Sequence, residues 1–187
     1  MKSKLLVFLI LVLAAPSAFA IGDFAFGPMY GMAIPVANDA AKSGMMYGFQ
    51  ARLSIVPMLA LGGHFHSRSY GNPTIESELL GELEFDGGTV SSFGINAFLG
   101  KVGGTVGPNF YLAASFGTFK WKRDIIEEVS ETALTLGPGL EIVLPMQLGI
   151  EARAMFEIAS TGNDATFKAV MAYIGVNYHI NLKPGPM

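Results

Sequence analysis

The sequence predicts an all-β fold, a single closed antiparallel transmembrane β-barrel of about eight strands that follows a cleaved signal peptide. Three observations support this prediction. The chain begins with an export signal, and the rest of it repeats an alternation of large apolar residues with small or polar ones. In addition, the six charged residues that lie well inside the alternating segments all fall on the polar side of the alternation.

The export signal is a short basic stretch followed by an unbroken apolar run over residues 5–14. Ala18-Phe19-Ala20 has the small-x-small form that signal peptidase recognises, which predicts cleavage after Ala20. A membrane anchor is the alternative, but the run is too short to span about 30 Å of hydrocarbon, and no basic stop-transfer cluster follows it. The predicted divisions are a signal peptide, a barrel and a short C-terminal tail, at 1–20, 21–180 and 181–187.

Composition limits the classes of protein to which the mature chain can belong. The absence of cysteine excludes a disulfide framework, a thiolate metal site and a lipid-modified N-terminal cysteine. The chain has 12 Lys and Arg against 15 Asp and Glu, and two of the lysines leave with the signal peptide, so the mature protein is acidic and no nucleic-acid partner is expected. No stretch after residue 20 approaches the roughly 20 apolar residues of a spanning helix. A hydrophobic, glycine-rich exported chain of this kind is either a secreted β-sandwich or a membrane β-barrel.

The alternation has a period of two and is clearest in segments 45–55, 146–158 and 170–180. In the first of these, one parity carries large apolar residues such as Tyr47, and the other carries polar or small residues such as Gln50. Eight such segments are enough to close a barrel, and closure leaves no unpaired strand edge in lipid. The weaker segments are 24–36, 59–68, 92–99 and 134–144, together with 109–121, in which the sequence does not separate the two faces.

Six charged residues lie well inside the strands and indicate which face points inward. All of them lie on the parity that is otherwise mostly Gly, Ala, Ser and Asn, with few Lys, which is unlike a water-facing sheet of a sandwich. An eight-stranded barrel leaves an interior just wide enough for side chains, so we predict a packed lumen of paired charges in which Glu151 pairs with Arg52 or Arg153. A polar conduit is the alternative. The predicted lumen charge network is Arg52, Arg68, Glu141, Glu151, Arg153 and Glu157.

Two histidines, His64 and His66, lie two positions apart on the predicted inward face. A His-x-His pair can hold zinc or copper where carboxylates converge, but no third ligand is indicated, so we expect no metal and no cofactor. His66 and Ser67 are adjacent and point to opposite faces, so they cannot form a catalytic dyad. The sequence therefore predicts no enzyme activity.

The connections favour an N-terminus in the periplasm. Outer loops are then longer than inner turns, as expected for such barrels, with 100–108 as the exception. Within the longest outer loop, residues 82–86 alternate and are predicted to extend a strand above the membrane. The predicted outer loops are 37–44, 69–89, 122–131 and 160–166, and the predicted inner turns are 56–58, 100–108 and 144–146.

A cationic and aromatic stretch ends the fifth predicted strand on the outer side. Its residues are Lys120, Trp121, Lys122 and Arg123. Lys and Arg bind phosphate and Trp favours the membrane interface, so these residues are a candidate contact for lipopolysaccharide. The alternative is an ordinary solvated loop flank, balanced by the acidic residues that follow it.

The last predicted strand carries a further signal in Gly175, Tyr178 and Ile180. This spacing resembles the C-terminal recognition signal of outer-membrane barrels, although Ile180 stands where that family usually has a terminal aromatic residue, and seven residues follow it. Together with the export signal and the eight segments, the mature chain resembles the small outer-membrane barrels of the OmpA and OmpX type.

The resemblance implies a Gram-negative outer membrane, assembly by the barrel insertion machinery, and contact with outer-membrane lipid and lipopolysaccharide. It does not imply a shared function, because such barrels have several different roles. We expect a structural or surface-interaction role with an unknown loop ligand. The alternatives are a narrow pore for small solutes or ions and a soluble periplasmic β-sandwich that acts as a binding module.

Overall fold

The computed structural model describes residues 22–36, 41–77, 81–84, 86–103, 106–122, 129–160 and 166–182. The predicted signal peptide lies outside these residues, as does most of the tail. Within the described residues, no helix has the length and hydrophobicity needed to cross a membrane. The strands are β1 (Asp23–Pro35), β2 (Lys42–Val56), β3 (Leu59–Gly71), β4 (Thr74–Ser77), β5 (Gly81–Glu84), β6 (Thr89–Gly100), β7 (Gly107–Lys122), β8 (Val129–Val143), β9 (Leu148–Ser160) and β10 (Thr166–Asn181).

Eight of these strands close a barrel in the order β1-β10-β9-β8-β7-β6-β3-β2, and each pairs antiparallel with its neighbours. The first and last strands pair along their length, from Asp23 opposite Asn181 to Pro35 opposite Ala169. The prediction of a closed eight-stranded barrel is confirmed. The β-sandwich alternative is wrong, because closure joins all eight strands in a single sheet.

The outer wall of the barrel is apolar. Large side chains such as Phe93 and Ile95 are 65% and 67% exposed, and residues alternate between buried and exposed along the whole of β9. A contiguous apolar belt of this kind is found where a protein contacts lipid and not water. The molecule is therefore a membrane-spanning barrel whose polar residues face the lumen.

Strand β7 explains why its two faces were not separable in the sequence. Its odd-numbered residues point inward and include Tyr111, Phe119 and Trp121, which are 5%, 0% and 8% exposed. Its even-numbered residues point outward and include Phe110 and Phe116. Because both faces carry aromatic residues, hydrophobicity does not alternate along the strand.

The long loop between β3 and β6 contains a separate hairpin. Strands β4 and β5 form a two-stranded sheet in which Glu82 lies opposite Glu76. The prediction that residues 82–86 extend a barrel strand is therefore wrong. We call the end of the barrel that carries this hairpin the outer end, and the opposite end the inner end.

The inner connections are short except for the one between β6 and β7, in which residues 101–103 fold back over the inner mouth. The amide of Val102 donates to the carbonyl of Pro57 at 3.3 Å, and the Val102 side chain is 5% exposed. Gly103 follows with a positive φ of 115° and passes close to Ser54. The unusual length of this connection thus has a structural reason, since it covers one opening of the lumen.

Two Gly-Pro steps interrupt the ladders on either side of the β9–β10 pair. Gly27-Pro28 leaves a gap in the pairing of β1 with β10, and Gly137-Pro138 leaves a gap in the pairing of β8 with β9. Proline has no N–H to donate, so it cannot complete a ladder bond on the side it faces. The register is the same above and below each gap.

Candidate functional site

The middle of the lumen is filled by two arginines and two glutamates. Arg52 forms an ion pair with Glu141, and Arg153 forms one with Glu151, while Arg52 Nη1 lies 3.8 Å from Glu151 Oε2. All four side chains are at most 5% exposed. Burial of charge is tolerated where the charges are paired, and here two cations face two carboxylates. Glu151 thus contacts both Arg52 and Arg153.

Amide side chains tie the two ion pairs together. Asn177 Nδ2 donates to Glu141 Oε1 and to Glu151 Oε2, each at 2.7 Å. Gln50 Oε1 accepts from Arg153 Nη2 at 2.8 Å, and Gln50 Nε2 donates to Glu151. The four charges and two amides therefore form one connected network, which we call the central network. Gln50 and Asn177 are not among the predicted site residues, although both lie on the inward parity.

The central network continues to the inner end through His179. This imidazole contacts Asp23 Oδ2 through Nδ1 at 2.8 Å and Glu141 Oε1 through Nε2 at 3.2 Å. Gly149 lies beside it, and a Cβ on Gly149 would lie 2.5 Å from Glu141 Oε1. The glycine therefore leaves the space that the carboxylate occupies.

Aromatic rings enclose the two guanidinium groups of the central network. The Arg153 guanidinium carbon lies 4.9 Å from the centre of the Phe98 ring and 5.1 Å from that of Tyr173. Arg52 lies 5.6 Å from Phe98 and 5.7 Å from Tyr111, whose hydroxyl also donates to Glu151. These contacts add cation–π stabilisation and exclude water from the charges.

A third arginine–glutamate pair lies nearer the outer end. Arg68 donates from Nη1 to Glu157 Oε1 at 2.6 Å and from Nη2 to Glu157 Oε2 at 3.0 Å, and both side chains are fully buried. Arg68 Nη1 also donates to the Tyr70 hydroxyl at 3.2 Å. The six predicted charges thus form two clusters, one of four residues and one of two.

Two of the arginine–glutamate pairs join strands on opposite sides of the barrel, across its diameter. Arg52 on β2 reaches Glu141 on β8, and Arg68 on β3 reaches Glu157 on β9. In each case four steps around the strand order separate the two strands. The pairs therefore brace opposite walls, which hydrogen bonds between neighbouring strands do not do.

Four aromatic side chains cover the Arg68–Glu157 pair from the outer side. They pack ring against ring, with Trp121 4.9 Å from Phe167 and Tyr70 5.7 Å from Phe167. The indole of Trp121 donates to the carbonyl of Gly87 at 3.0 Å. This cluster of Tyr70, Phe119, Trp121 and Phe167 is called the aromatic lid below.

The position of Trp121 corrects one sequence prediction. Trp121 points into the lumen, so the prediction that it contacts lipopolysaccharide is wrong. Lys120 and Lys122 have the opposite parity and are exposed on the outer wall. Arg123 lies outside the described residues.

The two predicted lumen histidines stack on each other. Their ring centres are 5.0 Å apart with an interplanar angle of 12°, and His64 Nδ1 lies 2.7 Å from Asn96 Oδ1. In the part of the chain that the structure describes, no group of three or more His, Cys, Asp or Glu side chains is arranged to hold a metal ion. His64 and His66, both on β3, thus fill the lumen beside Asn96 of the neighbouring strand β6.

The residues of the predicted insertion signal lie on β10. Gly175 faces the lumen, while Tyr178 and Ile180 face outward. The Tyr178 hydroxyl donates to Gln147 Oε1 at 3.1 Å, and its ring meets Phe26 at 6.0 Å. Recognition of this strand by the insertion machinery stays a prediction.

Comparison with known proteins identifies the fold. No protein-family model matches the chain, and no curated protein matches its sequence. The N-terminal β-barrel domain of Pseudomonas aeruginosa OprF is similar in structure, with a TM-score of 0.56 and 13% identity over 85% of this chain and 99% of that one. Neisserial surface protein A has a TM-score of 0.58 and 12% identity over 84% of this chain and 96% of that one. The chain therefore has the fold of the small eight-stranded outer-membrane barrels.

Proposed function

We propose that this chain is a closed outer-membrane barrel, with no conducting path, that serves a structural or surface-interaction role. The observation that carries the proposal is the occlusion of the lumen at three levels. Val102 covers the inner mouth, the central network fills the middle, and the aromatic lid covers the outer part. The structural or surface-interaction role then belongs to the outer wall and the outer loops.

The energetics of the buried charges support a closed lumen over a narrow pore. An ion that crossed the barrel would have to separate Arg52 from Glu141 and Arg68 from Glu157. Breaking a buried pair costs about 3–5 kcal/mol when one partner is left unpaired. Two such steps in series, with aromatic rings packed around them, oppose steady conduction.

The hairpin β4–β5 is the part of the outer end that we propose to meet a partner. Its base is fastened on both sides, since Lys42 Nζ donates to Thr74 Oγ1 at 3.1 Å and Gly87 N donates to Asn72 Oδ1 at 3.1 Å. Glu82 and Glu84 are exposed on it. A fastened hairpin with exposed carboxylates favours a basic partner surface over an acidic one.

Single-channel recording in planar bilayers tests the closed lumen. We expect the wild-type protein to insert without steady openings, whereas the double variant Trp121→Ala/Phe167→Ala, which removes half of the aromatic lid, should flicker open. Heat-dependent mobility on a detergent gel would verify that both proteins are folded. Steady openings of the wild-type protein would overturn the proposal in favour of the narrow pore.

Lipopolysaccharide contact at Lys120 and Lys122, together with Arg123, remains part of the proposal. The two described lysines lie on the outward parity near the outer end of β7, where lipid phosphates are found. Replacing all three cations with Gln should lower the affinity for lipopolysaccharide. Unchanged affinity would leave this stretch as an ordinary solvated flank.

A further inference from the structure

Large side chains do not cover the lipid-facing wall evenly. A groove of about 770 Å³ crosses β8, β9, β10 and β1 on this wall. The residues on its floor are Ala152, Ala154 and Ala172. Larger side chains form the rims, among them Tyr30 and Phe110. The volume is within the range of small-molecule sites, about 300–1,000 Å³, although this groove opens toward lipid.

The floor is low because small residues of neighbouring strands lie side by side. Ala172 is directly opposite Ala154, and the next outward position of β8 in that row is Pro138. The groove also lies over the gap in the β8–β9 ladder at Gly137-Pro138. A lipid-facing surface normally carries large apolar residues, so a contiguous patch of small ones leaves room for something else.

One cation stands above the groove on the same face. Lys168 lies four residues before Ala172 on β10, has the same outward parity, and is exposed. Four residues of a tilted strand cover about 10 Å of membrane depth. Since the apolar band of such barrels is about 25 Å tall, Lys168 is near the outer interface when Ala172 is near the bilayer centre.

We propose that this groove binds an acyl chain of lipopolysaccharide, with a phosphate of the lipid A headgroup at Lys168. The floor accepts the hydrocarbon chain, because Ala152, Ala154 and Ala172 present only methyl groups and Pro138 beside them presents a flat ring. Lys168 supplies the charge complementarity that a phosphate requires. The inference goes beyond the proposed function and does not depend on whether the lumen conducts.

A second copy of the chain is the competing occupant of the groove, because small residues also allow close packing between membrane proteins. The two occupants differ in what Lys168 does. A phosphate needs the cation, whereas packing of two apolar walls gains nothing from a charge beside it. Substitution of Lys168 therefore separates the two.

Native mass spectrometry of the folded, full mature chain provides the test. The protein is reconstituted with hexa-acylated rough lipopolysaccharide or with phosphatidylethanolamine vesicles, extracted in a mild non-ionic detergent, and scored for lipid that stays bound. Ala172→Phe fills the floor of the groove. Ala97→Phe is the matched control, because Ala97 is exposed on the lipid-facing side of β6, diametrically opposite β10. Ala154→Leu is a smaller substitution for use if Ala172→Phe does not fold.

We expect wild type and Ala97→Phe to retain one lipopolysaccharide molecule and Ala172→Phe to lose it. Lys168→Gln should weaken retention of lipopolysaccharide more than that of phosphatidylethanolamine, whose single phosphate is balanced by its own ammonium group. Equal retention by Ala172→Phe and Ala97→Phe would overturn the proposal, as would retention that is insensitive to Lys168→Gln. A wild-type dimer that dissociates in Ala172→Phe would assign the groove to a second copy and would also overturn it.

Discussion

The ion pair between Arg68 and Glu157 offers the sharpest test of how the lumen is held together. Glu157→Gln is close to isosteric, and it changes one acceptor oxygen into a donor NH₂ group. In the wild-type protein both carboxylate oxygens accept from Arg68, at 2.6 and 3.0 Å. In the variant, the new NH₂ group faces an N–H donor of Arg68 at one of these positions. The guanidinium of Arg68 keeps its charge but has no counter-ion.

The magnitude follows from the burial of both groups, each of which is 0% exposed. Removing one partner of a buried ion pair costs about 3–5 kcal/mol, because the other charge is left uncompensated. The Tyr70 hydroxyl and the ring of Phe119, 5.5 Å from the guanidinium, remain in contact with Arg68. We therefore expect a loss near the lower limit, about 3 kcal/mol in the free energy of unfolding.

Reversible unfolding in urea from lipid vesicles measures this loss, with the fluorescence of Trp121 as the signal. Trp121 is the only tryptophan in the sequence, and it packs in the aromatic lid next to the ion pair. Glu84→Gln makes the same chemical change on the exposed hairpin and should shift stability by less than about 0.5 kcal/mol.

A double-mutant cycle with Arg68→Met isolates the interaction between the two residues. Once Arg68 is absent, Glu157→Gln no longer leaves a buried cation unpaired, so its cost should fall by about 2 kcal/mol. If Glu157→Gln costs no more than Glu84→Gln, or if the two changes are additive, the pair does not brace the barrel and the reasoning fails.

Three further predictions use the same unfolding assay or the same fluorophore. Glu151→Gln should destabilise the barrel by about 3 kcal/mol, because Arg153 and Arg52 lose a shared carboxylate; a loss below that of Glu84→Gln would contradict the described network. Gly27→Ala should cost about 3 kcal/mol, because its Cβ would lie 1.8 Å from the carbonyl oxygen of Val176, whereas Gly63→Ala, with its nearest atom at 3.5 Å, serves as the tolerated control. Brominated phospholipids should quench the fluorescence of Trp121 only weakly, since the indole faces the lumen. Strong quenching would instead place the Trp121 side chain at the membrane interface.

The fold could be predicted from the sequence because membrane and lumen impose opposite demands on alternate residues. In segment 170–180 the outward parity is apolar throughout, and the inward parity carries the small and polar residues, together with Met171 and Tyr173. Strand β7 shows the limit of the argument. The aromatic lid fills the lumen near the outer end of β7. As a result, the inward residue Trp121 and the outward residue Phe116 are both large and apolar.

The contacts within the lumen were harder to predict from the sequence. The parity of a residue shows which face of its strand it occupies, but not which residue it contacts. Parity places Arg68 and Glu157 in the lumen, but the pairing depends on which strands lie opposite each other and at what height. Those are properties of the closed barrel, set by its strand number and stagger. Asp23 was missed because it lies at a strand end, where alternation is too short to distinguish a lumen residue from a turn residue. His179 lies on the inward parity of segment 170–180, but parity does not show that it contacts Asp23 and Glu141.

The hairpin β4–β5 illustrates a different limit. Residues 82–86 alternate as a barrel strand does, and alternation by itself does not name the strand with which a segment pairs. The structure pairs Gly81–Glu84 with Thr74–Ser77, its nearest neighbour in sequence. A short local pairing costs less chain entropy than an extension of a distant barrel strand.

The arrangement of charges has a consequence for how the barrel reaches one register. A slip of one residue in any strand would exchange its inward and outward faces, and in β2, β3 or β9 it would turn a lumen arginine into lipid. An arginine on the lipid face costs about 2–4 kcal/mol at the bilayer midplane. For β2 and β3 the slip would also separate Arg52 or Arg68 from its glutamate, and for β9 it would remove Glu157 from Arg68. Hydrogen bonds between neighbouring strands form almost equally well in either register, so the cross-lumen pairs distinguish the correct register from its alternatives. A lumen used for passage would need these positions free of mutual contacts, whereas a lumen that fixes the register needs them paired, as they are here.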